Sequence, residues 1–579
     1  MGTARFASHP LARKSPVYAR RCTRPALLIA LAHLAIACSS DSTEPADNGL
    51  NASDAGSGDA SEDASQGGPD ADGSASADSG APSDGSGDQD GSSEPADVGP
   101  QPRPYPEPGA FPPHEGPGIG QVTYTEEQLY QNCAYLDGGP DDFADHHNLV
   151  IMYRGFLLMP WSPEFGTGGI SLFDISDPCN PVEHGSGYSN TMRESHSLGF
   201  MEQDGRHWMA VNNFEGIFDG GIEFWDVTDL TAPTPVSFIH LPGFAYPDAY
   251  AKVTLALFWQ APYVYVSGSD NGVYVVDASD PENPVLVSQY VFDPVLRVGQ
   301  VQVIGNLLIA TAAEGARTAL MDVSDPGNLV PIPGGDFLGV DENGEPKEAY
   351  FTNTSGGYVW FARKQGGGGP MVMDIRDPSN PVYAGSLRTE GNGGYIAIHE
   401  DYAFIGESSF AQIYNISDLS NITIEARLDL EGDLDTMYPI GHLAVLSVDD
   451  KAVFNQATSI APWRTEPDTN PPVVNFAWPP DGATDLALTS RFGVTFNEMV
   501  DITSAWEGSV RLYITGTDPA MTRVDGTVSV GEAIVNFWPD EPLLPSTSYT
   551  LEIPAGGIED FSGNAIEEPF TATFTTGEF

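Results

Sequence analysis

The sequence predicts an all-β protein: a seven-bladed β-propeller, then a β-sandwich, the whole preceded by a disordered acidic linker. Three observations carry this. An apolar strand ending in an acidic turn recurs six times in the middle of the chain, as ISLFDISD, IEFWDVTD, VYVVDASD, TALMDVSD, MVMDIRD and QIYNISD. Residues 470–579 hold seven short runs of alternating apolar residues. Residues 39–113 are dominated by Asp, Ser, Gly, Ala and Pro, with no Lys or Arg before Arg103.

The repeat sets the architecture of the middle. Its pivotal positions are Asp174, Asp226, Asp277, Asp322, Asp374 and Asn415, which lie 52, 51, 45, 52 and 41 residues apart. That is the period of a four-stranded propeller blade. Alternating β-branched and aromatic residues favour a strand, and Asp-x-Ser-Asp-Pro closes it with side chains that bond nearby backbone N–H groups. One blade reads as strands over 195–201, 207–213, 221–229 and 235–241. The same parse fits 148–184, 253–291, 298–332, 349–387 and 395–428. After the last motif only three strands remain, near 437–440, 442–448 and 452–457, so a strand at 121–125 is expected to complete the seventh blade and remove its free edge. The pivotal acids read as turn caps, not metal ligands.

The N-terminus reads as an export signal over residues 1–37. Six basic residues and no acid lie ahead of an apolar core at 26–37, too short for an ordinary membrane span. It ends Leu34-Ala-Ile-Ala-Cys38, which resembles a bacterial lipobox; that resemblance implies lipidation of Cys38 and a lipid-anchored place at the outer membrane or cell surface. Plain secretion with Cys38 discarded is the alternative. Residues 38–115 then form the linker, because so few apolar side chains cannot offset the entropy of an ordered chain. The formal charge of −57 argues against nucleic acid and anionic headgroups as partners.

The propeller, 116–465, resembles the LVIVD-repeat family through the apolar-apolar-Asp-Ile/Val-Ser-Asp-Pro pattern. The resemblance implies a surface propeller and supplies no catalytic residues. Residues 470–579 resemble bacterial Ig-like domains of the surface-layer (SbsA) type, with PPDG at 479–482, VTFNEMVD at 494–501, LPSTSY at 544–549 and IEDFSGN at 558–564. Such a domain is implied to be a spacer or accessory binding module.

Four cysteines are present, and two of them, Cys133 and Cys179, fall in the exported head. In an oxidising compartment they are expected to pair and to pin the ring-closing segment to the first blade. The glycine run 366–369 lacks the Lys-Ser/Thr of a phosphate cradle, and neither a Gly-x-Ser-x-Gly elbow nor a His-Glu-x-x-His pair occurs. What remains are polar residues just before the first strand of several blades: Arg193, Glu194, His196, Asp248, Lys252, Arg297, Glu348, Asp433 and Asp435. They are expected to gather at the mouth of the central channel and to bind a carbohydrate, protein or small ligand without chemistry, in a monomer with no required cofactor. A Ca²⁺-dependent hydrolase using these acids, with Glu194 and His196 on one side of an extended segment, is the alternative.

Overall fold

The computed structural model describes residues 101–578 except 112–113, 137–148, 163–166, 217–218, 245–255, 430–433 and 449–457. Seven four-stranded antiparallel sheets follow one another along the chain, and two more sheets form the C-terminal sandwich. Blades one to six each take four consecutive strands. Their innermost strands are Ile151–Tyr153, Gly199–Gln203, Leu257–Gln260, Val298–Ile304, Ala349–Ser355 and Ile396–His399. Leu434–Ile440 is the innermost strand of blade seven. The first three strands of a blade are buried on both faces, whereas the outermost alternates, as Val285–Tyr290 shows. Apolar faces therefore pack blade on blade, and only the rim meets solvent.

The repeated motif is a local hydrogen-bonding device. In all six copies the pivotal side chain accepts from the backbone N–H two residues on, at 2.8–3.2 Å. Asn415 does this as well as the five aspartates. The second acid of the turn repeats the contact at Asp229, Asp280, Asp325, Asp377 and Asp418. A register shift between the third and fourth strands recurs just before the pivot in each of the six blades. Such a bulge bends the outer strand around the blade's twist.

Ring closure departs from the sequence reading. The fourth strand of blade seven is Ala134–Leu136, with Ala134 opposite Ile460 and Leu136 opposite Thr458. Residues 121–125 do not join the sheet: Tyr124 N–H donates to Thr465 O at 2.8 Å and Thr123 Oγ1 to Glu466 at 3.1 Å, before a turn at 125–128 redirects the chain. Ala134 and Leu136 are buried on either side of exposed Tyr135, while Val122 and Tyr124 pack against the same core without joining the sheet. The third strand of this blade is Thr458–Pro462; the expected 452–457 lies outside the described residues. Cys133 and Cys179 form a disulfide that ties the segment entering the closing strand to the first blade's turn.

The sandwich pairs one sheet of Val474–Trp478, Phe492–Phe496, Ile534–Pro539 and Gly526–Gly531 with another of Ala483–Leu486, Phe570–Thr576, Ser548–Ile553, Arg511–Ile514 and Arg523–Val524. Phe496, Leu512, Phe537, Leu551 and Phe574 fill the space between them. Residues 101–115, read from sequence as linker, instead lie along this domain. Arg103 donates two hydrogen bonds to the Asp525 carboxylate at 2.8 Å each, Tyr105 donates to Leu512 O at 2.6 Å, and Phe111 stacks on Trp506 at 4.7 Å. The linker's aromatic and basic residues fall in this stretch, and they supply the contacts its Asp/Ser/Gly part lacks. Cys38 and the signal lie outside the described residues.

Candidate functional site

The sandwich sits on one face of the ring and closes that end of the channel. It meets the turns that follow the innermost strands. Asn536 accepts from Gly305 N–H at 2.7 Å and donates to Val303 O at 2.9 Å. Ser355 donates to Phe496 O at 2.8 Å. Gly305 adopts φ +56°, and a side chain there would collide with Trp478. Buried Arg491 reaches blade three, donating to Gln260 Oε1 and Tyr265 OH at 2.6 Å each, with its guanidinium 3.4 Å from the centre of the Trp538 ring. At the tip of one hairpin Glu532 enters the channel and accepts from Gln302 at 3.1 Å and Asn353 at 3.0 Å. Burial pushes this carboxyl up to about 7.

The sequence-predicted funnel lies at the opposite end, before the innermost strands begin. Arg193, Glu194 and His196 come together there, with His196 Nε2 3.3 Å from Glu194 Oε1 and Arg193 Nη2 3.9 Å from Glu194 Oε2. The segment is held by Ser197, which exchanges hydrogen bonds with the Leu257 backbone at 2.7 Å, and by Asn212, which donates to Glu194 O at 3.1 Å. His196 Nδ1 shares a hydrogen bond with Tyr395 OH, and its ring stacks on Phe351, which stacks on Tyr395. Burial holds the Tyr395 phenol well above its ordinary range, and Tyr350, Glu194, Tyr438 and Asp435 add to the effect. Asp435 therefore joins the group.

Two departures matter. Arg193, Glu194 and His196 are only 4, 5 and 1 % exposed, so they form a sealed wall and not an open mouth. Arg297 does not converge on them; it pairs with Asp270 at 3.3 Å and stays 40 % exposed. Glu348 is half-buried before its strand. Asp248, Lys252 and Asp433 lie outside the described residues.

A cavity of ligand size lies elsewhere. A cleft of about 570 Å³ runs between the edges of blades two and three, the sandwich and the 101–115 strap. Its apolar wall includes Phe111, Phe200, Trp259 and Trp506. Its polar groups include Glu202 and Glu507, both exposed, and His207, which burial and nearby Arg154 hold uncharged, at about 4. The volume is that of a site for a small ligand, and such sites favour domain interfaces. Sequence reasoning missed it because its parts come from three distant segments. One signal was present: Tyr105 and Phe111 are the aromatics that end an otherwise aromatic-free acidic stretch.

A closed ring of seven blades with a sandwich seated on one face defines a β-propeller protein capped by an Ig-like domain. Its repeats are LVIVD repeats, matched at residues 262–291 and 353–389, and its C-terminal unit is a bacterial Ig-like domain, matched at 468–576. No curated protein matches the chain. Among solved structures it is similar to the periplasmic gluconolactonase PpgL of Pseudomonas aeruginosa, at 10 % identity and TM-score 0.41, covering 56 % of this chain and 96 % of that one. It is also similar to the Cps50 (Swd1) β-propeller domain of Myceliophteria thermophila, at 11 % identity and TM-score 0.41, covering 57 % and 98 %. A third is the WD40 β-propeller domain of Doa1, at 10 % identity and TM-score 0.40, covering 57 % and 95 %.

Proposed function

We propose that this chain is an exported, lipid-anchored envelope protein that binds a carbohydrate in the cleft between the propeller and its cap, without transforming it. The cleft itself is the observation that carries the reading. It offers aromatic faces for the apolar side of a sugar ring, and Glu202, Glu507, Gln203 and Ser279 along its edge for hydroxyls. The acidic surface favours a neutral or cationic ligand over an anionic one. The Ig-like domain is then part of the site as well as a spacer, since Trp506 and Glu507 belong to it. Anchoring at Cys38 would hold this head at the membrane surface by way of the acidic linker.

The test is a glycan panel titrated against the full exported chain with tryptophan fluorescence as readout. Binding should shift the emission, and Glu202→Ala and Phe111→Ala should each weaken it about tenfold. Trp506→Ala should abolish the signal, but it also removes a 2.6 Å bond to Gly109 O, so the first two variants decide. Unchanged affinity in both would overturn the cleft as the site. Chelator-sensitive turnover lost in Glu194→Ala would replace binding with the hydrolase reading.

A further inference from the structure

Where the cap meets blade six, five titratable groups from three parts of the chain crowd into one enclosed space. His399 ends the innermost strand of that blade and Glu400 opens the turn after it, Asp468 lies in the hinge between the domains, and Glu498 and Asp560 belong to the sandwich. Ligand-capable atoms of Asp468, Glu498 and Asp560 all lie within 4.8 Å of one another, and all three residues are buried. A second trio, His399, Glu400 and Asp468, shares Asp468. Five buried or half-buried groups in one place demand an explanation by charge.

Positive charge here falls short. Arg464 is the cation that reaches the cluster: it is bonded to Glu400 and lies 3.5 Å from Asp468 Oδ1. His399 is buried between two of the acids. Its two nitrogens lie 3.4 Å from Glu498 Oε2 and 3.5 Å from Asp468 Oδ2, long for hydrogen bonds. Glu498 Oε1 is buried with no hydrogen-bond partner, and its side chain is 2 % exposed. Asp560 is steadied from behind by Ser562 N–H, Asn564 N–H and the Asn564 amide, each at 2.8 Å. Leaving carboxylates buried and uncompensated costs several kcal/mol, so something must balance them.

We infer that Asp468, Glu498 and Asp560 hold a hard divalent cation, Ca²⁺ above all, that clamps the Ig-like cap to the hinge and to blade six. All-oxygen donors select Ca²⁺, Mg²⁺ or Mn²⁺ over softer metals. His399 and Asn564 then act as outer partners that orient the carboxylates. This clamp is independent of the carbohydrate reading; either can fail alone.

Three measurements on the full exported chain test it, each run beside Glu498→Gln, which keeps the shape and removes the charge. Protein purified without chelator should carry about one more Ca²⁺ per chain than the variant; the acidic N-terminal stretch is common to both and cancels. Chelator should lower the melting temperature of the wild type and leave that of Glu498→Gln unmoved. Tb³⁺ should luminesce through Trp463, whose ring packs on His399 at 5.5 Å, and Ca²⁺ should compete it away. Equal metal content in the two proteins, or a wild-type melting temperature indifferent to chelator and to added Ca²⁺, Mg²⁺ and Mn²⁺, would overturn the clamp. A Glu498→Gln variant more stable than the wild type at every Ca²⁺ concentration would show that shared protons balance the cluster instead.

Discussion

Replacing Glu532 with Gln should stabilise the protein above neutral pH and do nothing at acidic pH. The carboxyl is carried by the cap's hairpin into the ring's channel, where Gln302 of blade four and Asn353 of blade five donate to it. Its charge also reaches Tyr438 of blade seven. Two neutral donors do not offset desolvation, so the carboxyl titrates at about 7, well above a free glutamate. Between those two values the unfolded chain has already released the proton that the folded chain keeps. Stability therefore falls as pH rises through that window, and the full loss is present above pH 7. The interval corresponds to ~3 kcal/mol if taken whole, and to ~1–2 kcal/mol once the partial wetting of the channel is allowed for. Glutamine keeps one acceptor and carries no charge. Melting curves of the two proteins across pH should coincide near pH 4.5 and separate by roughly 2–4 °C at pH 8, with the variant higher. A gap that is independent of pH, or a variant that melts lower at pH 8, would refute the argument that the charge is buried at a cost.

Other outcomes follow from single contacts. Cys133→Ser with Cys179→Ser opens a loop of 46 residues and should cost up to ~4 kcal/mol, seen as a lower melting temperature that reductant no longer changes. Asp277→Ala removes a turn cap and should cost ~1 kcal/mol, whereas Asp277→Asn should be nearly neutral, because Asn415 already fills the same role; chemical denaturation of both variants would distinguish them. Arg491→Leu strips the acceptors Gln260 and Tyr265 of their charged donor and should cost ~2–4 kcal/mol, read as faster proteolysis at the hinge near residues 465–472. Deleting 134–136 should unfold the ring by exposing the edge of Thr458–Pro462, measured by loss of the cooperative melt.

The blades and the sandwich were legible in the sequence because the signals that make them are local. An Asp that caps its own turn two residues on needs no distant partner, so six copies announced six blades, and Asn415 could replace the acid without loss. Seven of the sandwich strands were legible for the same reason: alternation within five or six residues decides which face is buried. Position along the chain could not reveal which run would close the ring. In the fold Ala134–Leu136 pairs with Thr458–Pro462, while Val122 and Tyr124 pack on the same core from outside the sheet. The funnel shows the same limit. The tertiary packing of His196 against Phe351 and Tyr395 sealed residues that looked like an open mouth, and Arg297 pairs with Asp270 instead of joining them. The seating of the cap, the cleft beside Trp506 and the cluster of Asp468, Glu498 and Asp560 join segments with no shared periodicity. Only the tertiary structure decided them, because complementarity between two folded surfaces is a property of neither strand pattern by itself.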